Sequence, residues 1–148
     1  MRFSCALTLV MLAALVSSSC DEPLSDFTGP TPELRPTFSS IQRDIFNAAD
    51  SSGRSACTRC HTDAGRNAAG GLLLRGDAAY GNIVNAPSRG KPGTMRVVPG
   101  NPDASYIIHK IEGRSDIVGA RMPTGGPYLT EGQTLIIKRW IERGAPND

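Results

Sequence analysis

Large rings are scarce in this chain: one tryptophan, three tyrosines and four phenylalanines among 148 residues. A core assembled from so few is thin, and a thin core needs something further to hold the fold together. Cysteine is scarce too, and four residues fall well short of the ~8% that marks a disulfide-dense scaffold. Charge of one sign is missing: 16 basic and 14 acidic residues leave a net +2, which argues against the strongly basic face of a dedicated nucleic-acid binder. No hydrophobic run reaches the roughly 20 residues that a bilayer-spanning helix takes. What is abundant is backbone punctuation, with 16 glycines and 11 prolines, too many for a bundle of long helices. At 39% the apolar content is too high for wholesale disorder. These bounds leave one small, loop-rich domain.

Residues 1–19 carry one positive charge at Arg2, then the stretch 6–16, apolar except for Thr8, then Ser17, Ser18 and Ser19. This is the layout of a secretory signal, outside the fold proper. Its end resembles a bacterial lipoprotein box, Val16-Ser17-Ser18-Ser19-Cys20, with Ser17 where that box usually has leucine. The resemblance implies that Cys20 receives a diacylglyceryl group and becomes the first residue of the mature chain. An ordinary cleaved signal with an incidental cysteine is the alternative. Residues 20–36 place Pro23, Pro30, Pro32 and Pro36 among acidic and polar residues without an apolar period, which describes a semi-rigid tether. The domain itself is expected over 37–148.

Four short helices are expected. The first covers 40–49, where Ser39 and Gln42 could form a capping box and Ile41, Ile45 and Ala49 share a face. The second covers 78–84, with Asp77 as N-cap. The third covers 102–112, capped by Asn101, opened by Pro102 and stopped by Gly113. The fourth covers 131–143, with a Thr130/Gln133 capping box, an apolar face of Ile136, Ile137, Trp140 and Ile141, and Gly144 as its stop. No apolar–polar alternation is long enough for a strand. The fold is expected to be all-α, with long Gly/Pro-rich loops at 62–76, 88–100 and 114–129 that need a reason to be ordered.

Cys57-Thr58-Arg59-Cys60-His61 supplies one. Cys-x-x-Cys-His is the attachment signature of c-type haem. Each thiol adds across one vinyl group, and two intervening residues let both sulfurs reach the ring from one turn of chain. His61 follows at once and would be the proximal iron ligand. Attachment takes place outside the cytoplasm, where the signal sends the chain. The alternatives are a Cys57–Cys60 disulfide in an oxidising compartment, a thioredoxin-like redox pair, which would want a βαβ setting, and a zinc site that would have to recruit His109 as fourth ligand.

A second axial ligand is expected at Met122, in Arg121-Met122-Pro123-Thr124-Gly125-Gly126, where Pro123 favours an extended backbone that can lay a thioether over a flat ring. A methionine filling the core is the plain alternative. Met95 and His109 are weaker candidates. His109 falls roughly 150° from the apolar centre of its helix and reads as a solvated histidine.

With these residues in place, the chain resembles a monohaem cytochrome c of the class I type, and within it the subgroup called planctomycete-type cytochrome c domains. The phrases that carry the likeness are Phe38-Ser39-Ser40-Ile41-Gln42, Gly71-Leu72-Leu73-Leu74, Val98-Pro99-Gly100-Asn101-Pro102-Asp103-Ala104-Ser105-Tyr106, Arg121-Met122-Pro123 and Trp140-Ile141-Glu142-Arg143-Gly144-Ala145. The resemblance implies a small cytochrome c-like fold wrapped round one covalent haem c, with the first and last helices crossing through Ile45 or Phe46 against Ile137 and Trp140. It implies electron transfer on the periplasmic side of the envelope, in the inner or outer membrane, with an exported dehydrogenase or respiratory complex as redox partner and no catalytic site. A haem-based sensor and a non-catalytic haem lipoprotein for protein interaction are the competing functions. Candidates for holding the haem propionates are Arg96, Arg114, Arg121, Tyr80, Tyr106 and Trp140. The macrocycle would supply the apolar body that the chain lacks, so the apoprotein is expected to be poorly folded.

Overall fold

A computed structural model of the chain describes residues 33–65 and 67–148. The expected signal, the lipidated Cys20 and the tether up to residue 32 lie outside the described residues. Among the described residues the regular structure is helical, with isolated bridges but no strand. The four helices are α1 (Phe38–Ile41), α2 (Ala78–Ile83), α3 (Tyr106–Glu112) and α4 (Glu131–Glu142). Short 3₁₀ turns occur at Cys57–Arg59, Ala69–Gly71 and Pro102–Ala104.

Each helix departs a little from its sequence expectation, for a local reason. α1 starts early because the Thr37 hydroxyl, not that of Ser39, accepts from the Ser40 amide. It then widens into a π turn over Gln42–Phe46, closed by the Asn47 amide on the Gln42 carbonyl at 2.9 Å. α2 ends at Ile83, where the Asn85 amide turns away to the Val97 carbonyl. The expected third helix is two pieces. Asn101 caps the Pro102–Ala104 turn as expected, but Ser105 is extended, and the amides of Tyr106 and Ile107 donate to the carbonyls of Met95 and Arg96 rather than to a preceding turn. At the far end of α3, Gly113 has φ 73°, and a Cβ there would also lie 2.6 Å from the Arg121 side chain. α4 has its capping box as expected, with the Thr130 hydroxyl and the Gln133 side chain each satisfying the other's amide.

The few aromatic residues are concentrated where α1 crosses α4. Phe38 lies edge-on to Tyr80 at 5.2 Å between ring centres and tilted against Trp140 at 5.6 Å. The ring that meets Trp140 at the crossing is thus Phe38, while the expected contact residues Ile45, Phe46 and Ile137 all line a cavity beside it. The tail past α4 is drawn into the same junction. Trp140 Nε1 donates to the Pro146 carbonyl, the Tyr80 hydroxyl donates to the Ala145 carbonyl, and Asp148 accepts from the Phe38 and Ser39 amides.

Arg54 ties the π turn to the loop that follows it. The side chain is fully buried, paired through Nε with Asp50 at 2.8 Å and donating to the Ile45 carbonyl at 3.1 Å, while Nη2 finds no partner. Removing one member of such a pair costs about 3 kcal/mol, and removing the orphaned donor returns about 1 kcal/mol. Arg54→Met is therefore expected to lower the stability of the domain by about 2 kcal/mol, read as a shift in denaturant midpoint at constant slope.

Candidate functional site

The Cys57–Arg59 turn is built against the end of the π turn. Thr58 Oγ1 donates to the Phe46 carbonyl at 3.3 Å, and the Cys57 thiol donates to the Ile45 carbonyl at 3.8 Å. The His61 amide closes back on the Cys57 carbonyl at 3.0 Å, which brings the imidazole round from the turn. His61 Nδ1 lies 3.0 Å from the Ala69 carbonyl oxygen. A carbonyl only accepts, so Nδ1 carries the hydrogen and Nε2 keeps a free lone pair, the arrangement of a metal-ligating imidazole oriented by a backbone partner. Burial lowers the His61 pKa, against the hydrogen bonds to the backbone of Ala69 and Leu72, and repulsion from Arg96 and Lys110 adds to the lowering. Burial also pushes the Cys57 thiol up. Cys60 is exposed, and both thiols are free.

Cys57, His61 and Met122 face one cavity of about 310 Å³, within the range of ligand pockets. Its walls are mostly apolar, with Ile45, Phe46, Leu72, Leu74 and Ile83 from the first half of the domain and Ile107, Ile111, Leu129 and Ile137 from the second. Arg96 and Lys110 also line it, and among the described residues no acidic side chain does. An apolar enclosure with two cations, a thiol, an imidazole nitrogen and a thioether fits a flat apolar macrocycle bearing carboxylates. Cys60 does not line the cavity; it stands outside, one turn of chain from Cys57. Met95, at 44% exposure, is held by backbone pairing with Pro87 and Ser105 and does not reach the cavity.

The wall that carries Met122 is a strap, residues 114–122, fastened along α3. The Val118 amide donates to the Tyr106 hydroxyl at 2.9 Å, Lys110 Nζ donates to the carbonyls of Val118 and Ala120, and the Met122 amide donates to the Lys110 carbonyl at 2.8 Å. Arg121 Nε donates to the Ile111 carbonyl at 2.8 Å. Thr124 Oγ1 donates to Met122 Sδ at 3.6 Å, which orients the thioether.

His109 is not the solvated side chain its helical angle suggests. Its Nδ1 is 2.9 Å from Asp116, and its Nε2 is 2.7 Å from the Asp103 carbonyl. It fastens the outer part of the strap, with Lys91 on the same carboxylate at 2.7 Å and Arg114 bridging Asp103 and Glu112. The zinc alternative loses its fourth ligand here, and among the described residues no three His, Cys, Asp or Glu side chains converge as a metal site. Of the six candidates for an anionic partner, Arg96 and Tyr106 line the cavity. Tyr80 and Trp140 are committed to the C-terminal tail, Arg114 to Asp103 and Glu112, and Arg121 to Ile111 and the Tyr128 ring. Lys110 escaped the sequence reading, although the signal was available: it is the one polar residue among Ile107, Ile108 and Ile111 that falls on their cavity face.

Hydrogen bonds from Lys91 and His109 hold the Asp116 carboxyl down to about 2 from an ordinary 3.8. A lowered folded-state value stabilises the protein above the unfolded value and loses that contribution as the pH falls. Stability is therefore expected to drop between about pH 4 and pH 2, and Asp116→Asn should flatten that part of the curve in denaturant titrations run across this range. Compared with known proteins, the chain matches no protein-family model, no curated protein and no solved structure, so its own residues carry the functional reading.

Proposed function

We propose that this chain is an electron-carrying c-type cytochrome domain, tethered by lipid at Cys20 on the periplasmic side of the cell envelope. The observation that carries the reading is that Met122, 61 residues beyond His61, meets Cys57 and His61 on one mostly apolar cavity, with no acidic side chain among the described residues that line it. Cys57 and Cys60 would hold the haem covalently, and His61 Nε2 and Met122 Sδ would ligate its iron. When bound, the haem supplies reversible one-electron exchange, at a potential raised by the thioether relative to two imidazoles.

The chain's own part is to hold and to exclude. The Ala69 carbonyl fixes the imidazole plane, and the strap fixes the thioether, so neither donor has to reorganise when charge changes. The isoleucine and leucine walls keep water out, and Arg96 and Lys110 offset the negative charge of carboxylates in a site with no acid of its own. With His61 and Met122 both ligating the iron, no open position would be left for a substrate, which favours a carrier over an enzyme. The four-helix frame then acts as a cytochrome c-like wrapping round the macrocycle. The mature chain, with a net charge near +1 once Arg2 is removed, has little overall steering, so a redox partner is selected by a local patch at the cavity mouth.

Two measurements test the reading. Covalent haem staining on denaturing gels is expected for the wild type and lost in the double variant Cys57→Ser/Cys60→Ser; staining that persists would sink the attachment claim. The reduced wild type is expected not to bind carbon monoxide at neutral pH, whereas Met122→Ala should bind it. Ready binding by both, with unchanged spectra, would instead point to an open sensor site.

A further inference from the structure

Within the strap, one residue gathers three backbone groups. Lys110 Nζ donates to the carbonyls of Val118, at 2.9 Å, and Ala120, while the Lys110 carbonyl accepts from the Met122 amide at 2.8 Å. The two carbonyls belong to alternate residues, so a single ammonium sets the course of the chain on both sides of Gly119. The amide that returns to Lys110 belongs to the residue whose thioether faces the cavity. No carboxylate among the described residues pairs with this lysine, and its stem lines the cavity beside Ile107 and Ile111. A lysine whose ammonium is held by two carbonyls and by no carboxylate contributes geometry to the strap.

We infer that Lys110 is a positioning residue for Met122: through Val118, Ala120 and its own carbonyl it sets where the thioether stands against the cavity. This rests on the haem reading above, with Met122 as an axial donor. Holding the strap shut raises the population in which Met122 Sδ stands at the site, and an external ligand must compete with that population.

The test is a double-mutant cycle on holoprotein, with imidazole as the external ligand to the ferric form and carbon monoxide to the ferrous form. Lys110→Met keeps the apolar stem and removes the ammonium. Two lost bonds from a charged donor should raise imidazole affinity about tenfold or more, weaken the sulfur-to-iron charge-transfer band and quicken exchange of the Val118 and Met122 amides. Lys110→Arg, whose fork can still reach two carbonyls, should restore the wild-type values. In a Met122→Ala background Lys110→Met should add nothing. Unchanged affinity and spectrum in Lys110→Met would overturn the proposal, and so would an equal rise in both backgrounds, because the lysine would then act on the cavity without Met122. If Lys110→Met yields no holoprotein, Lys110→Gln carries the same comparison; failure to recover either would count against positioning and assign Lys110 to the fold. Absence of covalent haem in the wild type would overturn the haem reading itself, a result separate from all of these.

Discussion

The crossing of α1 on α4 bears the rest of the structure. Phe38 lies against the only tryptophan of the chain, Tyr80 closes the junction from α2, and the residues after α4 come back to bond to all three. Three of the aromatic rings meet at this one place, while Phe46 and Tyr106 line the cavity beside it. From the crossing, the π turn carries Ile45 and Phe46 to one wall and leads into the Cys57–His61 turn, while α4 presents Ile137 to the same space. A domain of this size seldom keeps a large apolar hollow, because unfilled volume forfeits the dispersion contacts that a close-packed interior would make. Here the walls are held apart from outside, by the crossing at one end and the fastened strap at the other.

Charge is distributed in two shells with opposite logic. Among the described residues, cations and no acids line the cavity, and backbone carbonyls hold both cations: those of Asn82 and Gly71 for Arg96, those of Val118 and Ala120 for Lys110. Outside, on the strap, every cation has a carboxylate or carbonyl close by: Lys91 and His109 on Asp116, Arg114 on Asp103 and Glu112, and Lys138 on Glu112. The outer pairs are partly exposed, so each contributes little alone, and their effect lies in fixing a loop otherwise rich in glycine and short of regular structure.

Local features could be read from the sequence, and features that depend on distant partners could not. The Thr130–Gln133 capping box and the Gly113 stop need only residues within a turn of themselves, and both occur where the sequence places them. The break at Ser105 depends on carbonyls at Met95 and Arg96 that no periodicity reveals, and the widening at Gln42–Phe46 has no signature in a helical wheel. In the site, Cys57, His61 and Met122 are recognisable because their chemistry is rare in so short a chain. His109 was misread because exposure was inferred from its own helix alone, whereas Asp116 reaches it from the strap. Lys110 was overlooked because an isolated polar residue beside isoleucines looks like an interruption until the carbonyls it serves are in view.

The tie between Asp148 and the first turn of α1 has a mechanical consequence. Asp148 accepts from the Phe38 and Ser39 amides, so the start of the folded domain and residue 148 meet at one pole. A pull applied through the residues that precede Thr37 enters at this pole and passes directly into the α1–α4 junction. The strap lies off that load path, whereas Ile45, Phe46 and Ile137 continue it into the cavity wall. Strain that enters beside Phe38 and Asp148 therefore meets the wall made by Ile45, Phe46 and Ile137 before it meets the strap that carries Met122.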